Sequence, residues 1–287
     1  MNIQWFPGHM AKTRRLIEEH IKLVDLVVEL VDARLPLSSR NPQIDTLIGE
    51  KPRLLLLNKA DIADPEANRA WEAYFISQGI PAMCVCATNA RQAQEVFSKC
   101  RQILAGKIAR QKERGMVGKS VKLMMVGVPN VGKSSLMNAL SGKKSAKTGD
   151  RPGVTTGKQW IRLGNGFDLL DTPGILWPKF EDPAVGLKLA YTGAIKDEIL
   201  DVEELACHLL EFLAEQYPKA LEQRYKMTEI ENVSGYSLLE LLGKKRGFVV
   251  SGGEIDTLRA ANVLLDEFRA ARLGRLTLEW PDEPVGK

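Results

Sequence analysis

The stretch Gly127-Val128-Pro129-Asn130-Val131-Gly132-Lys133-Ser134 satisfies G-x-x-x-x-G-K-[ST] at every fixed position. The apolar run Val121–Val126 before it reads as a strand, and Lys133–Leu140 after it reads as the start of a helix. Strand, glycine-rich turn and helix in that order make a phosphate cradle. The turn curls backbone N–H groups round an anion, and the helix N-terminus adds partial positive charge. Asn130, Val131, Gly132, Lys133, Ser134 and Ser135 are therefore candidate phosphate-binding positions. Lys133 is expected to reach the β- and γ-phosphates in a catalytic role, and Ser134 to offer its hydroxyl to Mg²⁺.

Downstream, Asp171-Thr172-Pro173-Gly174 closes the apolar strand Phe167–Leu170. An Asp there can hold Mg²⁺ through water, while the Gly174 amide can sense a γ-phosphate. D-x-x-G alone describes many turns, but after a phosphate loop it carries information. Between the two lies Arg151-Pro152-Gly153-Val154-Thr155-Thr156. A Thr in such a loop suits a switch that ligates Mg²⁺ only when triphosphate is bound, with Thr155 the first choice and Thr156 the alternative.

A base-reading element lies upstream. Asn58-Lys59-Ala60-Asp61 follows the buried run Arg53–Leu57, where an N-K-x-D loop belongs. The two oxygens of Asp61 match the paired N1–H and N2–H₂ donors of guanine, whereas adenine would leave a carboxylate unpaired. Sites of this kind discriminate by ~10⁴-fold or more, which argues against an ATP-dependent kinase or ATPase. Lys59 is expected to lay its stem along the purine, and Asn58 to tie this loop to the phosphate loop. After a third strand, Ile80–Cys86, the Ala87 N–H is a candidate donor to guanine O6, although Cys86-Ala87-Thr88 matches the usual S-A-K poorly.

Strands alternating with helices imply an α/β fold with a mostly parallel sheet covered on both faces. The expected order is a P-loop GTPase domain over 1–180, with an N-terminal helix from His9 to Leu23, and a mainly helical domain over 181–287. Expected helices include Pro65–Gln78, Gln92–Arg114, Glu203–Gln216, Ser237–Lys245 and Glu254–Arg272. Standard GTPases place the phosphate loop first. Here the base-reading elements come first, so the GTPase motifs are circularly permuted, with the join in the linker Gly115–Ser120. Permutation also makes Asp171–Gly174 lead directly into the helical part, which lets nucleotide state reposition that part.

The 287 residues are 44% hydrophobic and 26% charged, enough for one full domain and a smaller companion. A formal net charge of +4 conceals a split, because residues 1–179 hold 27 Lys+Arg against 16 Asp+Glu and the remainder is net acidic. That asymmetry points to an anionic partner for the first part, beside the plainer reading of solvated basic faces. Cys84, Cys86, Cys100 and Cys207 have no zinc spacing and fit a reducing compartment. Charges interrupt the N-terminus early, against a secretory leader, and no apolar stretch is long enough to span a bilayer.

The motif order, with Trp5-Phe6-Pro7-Gly8-His9-Met10, Asp32-Ala33-Arg34-Leu35-Pro36 and Asp171-Thr172-Pro173-Gly174-Ile175-Leu176-Trp177-Pro178, resembles the RbgA/YlqF-type circularly permuted GTPases, the bacterial ribosome biogenesis GTPase A family. The resemblance runs over essentially the whole chain. It implies GTP and GDP as ligands, Mg²⁺, and a cytoplasmic factor that matures the large ribosomal subunit through ribosomal RNA contacts. Neither membrane nor DNA is an expected partner. It further implies an RNA-contacting helical domain, for which Lys244-Lys245-Arg246 is a local basic patch. Lys12, Arg14 and Arg15, Arg101 to Arg114, and Lys143, Lys144 and Lys147 are further basic clusters.

Where Ras-type enzymes carry a water-orienting Gln after D-x-x-G, this chain has Ile175. Slow turnover alone and activation by a partner follow, the resemblance implying the ribosomal subunit as that partner, and His9 of the Pro-Gly-His segment becomes a candidate catalytic group beside a packing or capping role. Asn130 is also a candidate K⁺ ligand, as in cation-dependent GTPases similar to this one. The alternative is a nucleotide-gated RNA-binding module in which hydrolysis matters little.

Overall fold

A computed structural model describes residues 10–116, 118–141, 160–163, 165–170 and 182–281. Six strands form one sheet: β1 (Leu26–Asp32), β2 (Arg53–Asn58), β3 (Ala82–Val85), β4 (Val121–Gly127), β5 (Trp160–Leu163) and β6 (Phe167–Leu170). They hydrogen-bond in the order β3-β2-β1-β4-β6-β5. Every neighbouring pair is parallel except β5 with β6.

The path explains how a permuted order still yields a continuous sheet. The chain starts at the middle with β1 and winds outward through β2 to β3. It then returns to the centre, so that β4 lies beside β1 with Val27 opposite Met124 and Leu30 opposite Gly127. Two outward windings from adjacent strands leave a topological switch point between β1 and β4. Open α/β sheets bind ligands at the carboxyl edge of such a point.

Both faces are covered, which is why β2 reads as an unbroken apolar run in which Leu54, Leu55, Leu56 and Leu57 are all buried. On one face, Val27, Met124 and Val126 pack with Ile17 and Ile21 of α1 (Met10–Ile21) and with Ile44 and Ile48 of α2 (Ile44–Ile48). Further along the same face, Val31, Leu55 and Leu57 meet Trp71 and Phe75 of α3 (Pro65–Ser77). The other face carries α4 (Ala90–Ile103), whose Phe97 stacks on Phe167 of β6 with centroids 4.9 Å apart.

The single basic helix expected over Gln92–Arg114 is two helices. α4 ends at Ile103, the buried Leu104 caps it, and α5 (Ala105–Glu113) follows with no buried residue. Ala93, Val96, Phe97 and Cys100 keep α4 on the sheet. Beyond Leu104 the inward positions of the helical period carry Lys107, a half-buried Ile108 and Gln111, so the apolar stripe thins and no residue of α5 is buried.

The described residues divide into two compact units, one with the sheet and one formed by residues 182–276. The second is helical: α6 (Lys133–Ser141) belongs to the sheet unit, and α7 (Pro183–Tyr191), α8 (Val202–Gln216), α9 (Pro218–Tyr225), α10 (Gly235–Arg246) and α11 (Thr257–Arg269) make up the rest. Leu205, Leu209, Leu210 and Leu213 of α8 form its centre with Leu238, Leu239 and Leu242 of α10 and Leu264 and Leu265 of α11. Asp201, Ser234 and Asp256 cap α8, α10 and α11 by accepting backbone N–H bonds. α11 therefore starts at Thr257 rather than at Glu254, because Val249 and Ile255 pair as a β-bridge just ahead of the cap.

Within this unit the buried Glu267 accepts hydrogen bonds from Arg224, Arg246 (2.7 Å) and the Tyr225 hydroxyl (2.8 Å). The hydrogen bonds of Arg224 act first, working against burial, and with Tyr225 and the arginine charges they hold the carboxyl below its ordinary range. Residues 277–281 do not belong to the helical unit; they pack with the sheet unit, short of the 181–287 extent read from the sequence.

Candidate nucleotide site

Parallel strands deliver their carboxyl ends to one edge, and the motif residues gather there. β4 ends at Gly127, where a Cβ would stand 2.5 Å from the Leu30 carbonyl oxygen of β1. The loop then turns through Asn130 and Gly132, both at positive φ (56° and 101°). Val131 is buried, whereas Lys133, Ser134 and Ser135 open α6 and are half-buried. The Lys133 ammonium caps the Gly127 and Val128 carbonyls at 2.8 and 2.7 Å. First-turn N–H groups of α6, a cation and two hydroxyls thus line one short loop, a donor set that fits a polyphosphate with its Mg²⁺.

The base-side loop is held from several directions. The Ala60 N–H donates to the Val85 carbonyl of β3 at 3.2 Å, and Asn68 Nδ2 of α3 donates to the Ala60 carbonyl at 2.9 Å. Asp64 caps α3 and so ends the loop. Between these fixed points the Asp61 carboxylate is exposed, open to a ligand's donors.

Asn58 joins the two loops. It is 1% exposed; its Nδ2 donates to the Val131 carbonyl at 2.7 Å and its Oδ1 accepts from the Ala87 N–H at 3.0 Å. A single amide therefore ties together the ends of β2 and β3 and the phosphate loop after β4. The Ala87 N–H, read from the sequence as a candidate donor to guanine O6, donates to Asn58 Oδ1 in this structure, and Ala87 is buried.

Two features had no chemical reading at the level of sequence. At the end of β1, the buried Asp32 accepts from the Arg34 Nε (2.9 Å) and backbone N–H (3.1 Å) on Oδ1 and from Nη2 (2.8 Å) on Oδ2, and the Lys59 ammonium lies 3.0 Å from that same Oδ2. Burial alone would raise this carboxyl, but the Arg34 and Lys59 charges and the Arg34 hydrogen bonds outweigh it and hold the group far below the usual carboxylate range. The signal was an Asp ending a strand buried on both faces, a position that demands a partner cation.

The second is the chain's last described segment. Glu279 accepts from the Leu37 N–H (2.8 Å), the Ser38 N–H (3.2 Å) and the Ser38 hydroxyl. Its carbonyl takes the Trp71 indole N–H at 2.8 Å, and the Leu278 N–H reaches the Arg34 carbonyl at 2.7 Å. Thr277 Oγ1 accepts from the Asp64 N–H at 3.1 Å. Nothing local in the sequence marks Glu279, since its partners lie more than 200 residues away.

His9, Thr155, Thr156, Asp171, Gly174 and the Lys143–Lys147 cluster lie outside the described residues. Lys244 and Lys245 are exposed at the end of α10. Among the described residues no helix is long and apolar enough to cross a membrane, and all four cysteines are free thiols.

A model described as 50S ribosome-binding GTPase matches residues 122–240. Ribosome biogenesis GTPase A of Bacillus cereus is 49% identical over 284 residues, covering 99% of this chain and 95% of the relative. A GDP-bound YlqF structure is similar with a TM-score of 0.70 at 27% identity, covering 94% of this chain and all of the other. A GNP-bound YlqF from T. maritima follows at 0.67 and 26%, covering 95% and 100%. With the phosphate loop and the N-K-x-D loop brought together at one switch point of a permuted sheet, and with likeness in sequence and structure over nearly its whole length, the chain belongs to the ribosome biogenesis GTPase A family.

Proposed function

We propose that the chain binds GTP and GDP at the carboxyl edge of β4, β2 and β3, hydrolyses GTP with Mg²⁺, and acts in the cytoplasm in assembly of the large ribosomal subunit. Asp61 reads the guanine, Lys59 lies along its face, and the Gly127–Ser135 loop holds the phosphates. Ser134, with Thr155 and Asp171, serves Mg²⁺, and Gly174 senses the γ-phosphate. Asn130 ligates K⁺, and His9 orients the attacking water. The nucleotide state repositions the helical unit, which follows directly on Asp171–Gly174 and contacts ribosomal RNA through patches such as Lys244-Lys245-Arg246.

The observation that carries this reading is the Asn58 amide, which couples the base-side loop to the phosphate loop through bonds of 2.7 and 3.0 Å. The ribosomal part rests on the relatives, whose name is ribosome biogenesis GTPase A. GTP turnover with and without purified large ribosomal subunits, in K⁺ and again in Na⁺, with ATP as control, tests it. Stimulation specific to GTP is expected. GTP turnover indifferent to the subunit would remove the assembly role and leave the GTPase.

A further inference from the structure

The N-K-x-D loop holds Lys59 in an unusual way. Its backbone is left-handed (φ 63°), a conformation that residues with a Cβ adopt at a cost and that tends to be retained where a site needs it. Its ammonium ends 3.0 Å from Asp32, a carboxylate already held on both oxygens by the buried Arg34. Were the pair only a structural device for burying Asp32, Arg34 alone would neutralise it. A second, quarter-exposed cation leaves the cluster with net charge +1 at the rim of the site, next to Asp61. The ends of β1 and β2 are also joined directly, the Ala33 N–H donating to the Asn58 carbonyl at 2.8 Å.

We propose that Asp32 is a positioning residue for nucleotide binding: it anchors the Lys59 ammonium so that the lysine stem stays laid across the base site, while Arg34 fixes the carboxylate that does the anchoring. The inference rests on the reading of Asn58–Asp61 as the base loop. It gives the Asp32-Ala33-Arg34 segment a function in binding that neither residue reaches by touching the nucleotide.

The test measures GDP affinity by calorimetry on the full chain for Asp32→Asn, Lys59→Met and the double variant, with melting temperature recorded for each. Each single change is expected to weaken GDP on the order of tenfold. The double variant should be no weaker than either single change, because both remove one arrangement. In turnover, the loss should fall on KM for GTP rather than on kcat, a split that general loosening of the fold would not give.

Wild-type affinity in Asp32→Asn beside a weakened Lys59→Met would overturn the proposal, as would losses that add. Unchanged GDP affinity in Lys59→Met would instead remove the base-loop reading beneath it. If Asp32→Asn does not fold, Lys59→Met is compared with the double variant, in which Arg34 is the one cation left facing a neutral amide. Equal affinities support the proposal, and a further loss overturns it.

Discussion

A Cβ on Gly132 would stand 2.2 Å from the amide nitrogen of Asn58. The missing side chain is what lets the base-side strand reach the phosphate loop, since Asn58 passes over Gly132 to bond the Val131 carbonyl. With φ at 101°, the position is closed to other residues on backbone grounds as well. Gly132→Ala should push the amide off Val131 and reduce GDP affinity on the order of 100-fold, about 3 kcal/mol. Calorimetry on the folded variant checks this.

Asn58→Ala attacks the same junction from the other side. It would leave the Val131 carbonyl and the buried Ala87 N–H without their partner, each at about 1–3 kcal/mol. Urea unfolding should register a loss of about 2–4 kcal/mol, with weakened GDP binding. A variant as stable as the wild type would mean that the junction contributes little.

Glu279 ties the last described segment to the loop after β1. Glu279→Ala would strip acceptors from the Leu37 and Ser38 N–H groups and destabilise the sheet unit by about 2–4 kcal/mol. Removing residues 277–287 should cost more, because Leu278 and the partner of the Trp71 indole go too. Thermal melts of the two variants against wild type decide the order.

In the helical unit, Glu267 makes stability depend on pH in a defined direction. Its folded carboxyl titrates below the ordinary 4.5, so the unfolded chain takes up the proton first as pH falls. The stabilisation is complete above 4.5 and is lost as pH drops below that value through the folded one. Glu267→Gln should be less stable than wild type at pH 7, and the gap should narrow as acid is added below 4.5. Circular dichroism melts across this range, compared between the two proteins, would show a constant gap if the carboxylate were irrelevant.

The parts of the fold that follow from local pattern were legible in the sequence. β2 announces itself as four consecutive leucines, and the phosphate loop and the N-K-x-D loop each carry their own spacing. Their order along the chain was enough to expect permutation, which the path from β3 back to a central β4 realises. What stayed hidden depends on contacts distant in sequence. The Ala87 N–H looked free because nothing nearby reveals that Asn58, in another strand, takes it. Lys59 was read for its stem, while its ammonium answers to Asp32 at the end of the neighbouring strand. Glu279 sits in a tail with no periodicity, and only the folded chain brings it to Ser38. The break at Leu104 was missed because α5 continues the helical composition after the apolar stripe has ended.

The central claim is a guanine-reading site assembled from permuted motifs, and Asp61 tests it most directly. Xanthine carries an oxygen where guanine has its N2 amine, so an amide at position 61 should accept the one base and repel the other. Turnover of GTP and XTP by wild type and by Asp61→Asn is the measurement. The account predicts that the variant loses GTP turnover and gains XTP turnover. Undiminished GTP turnover by Asp61→Asn, with no gain for XTP, would contradict it.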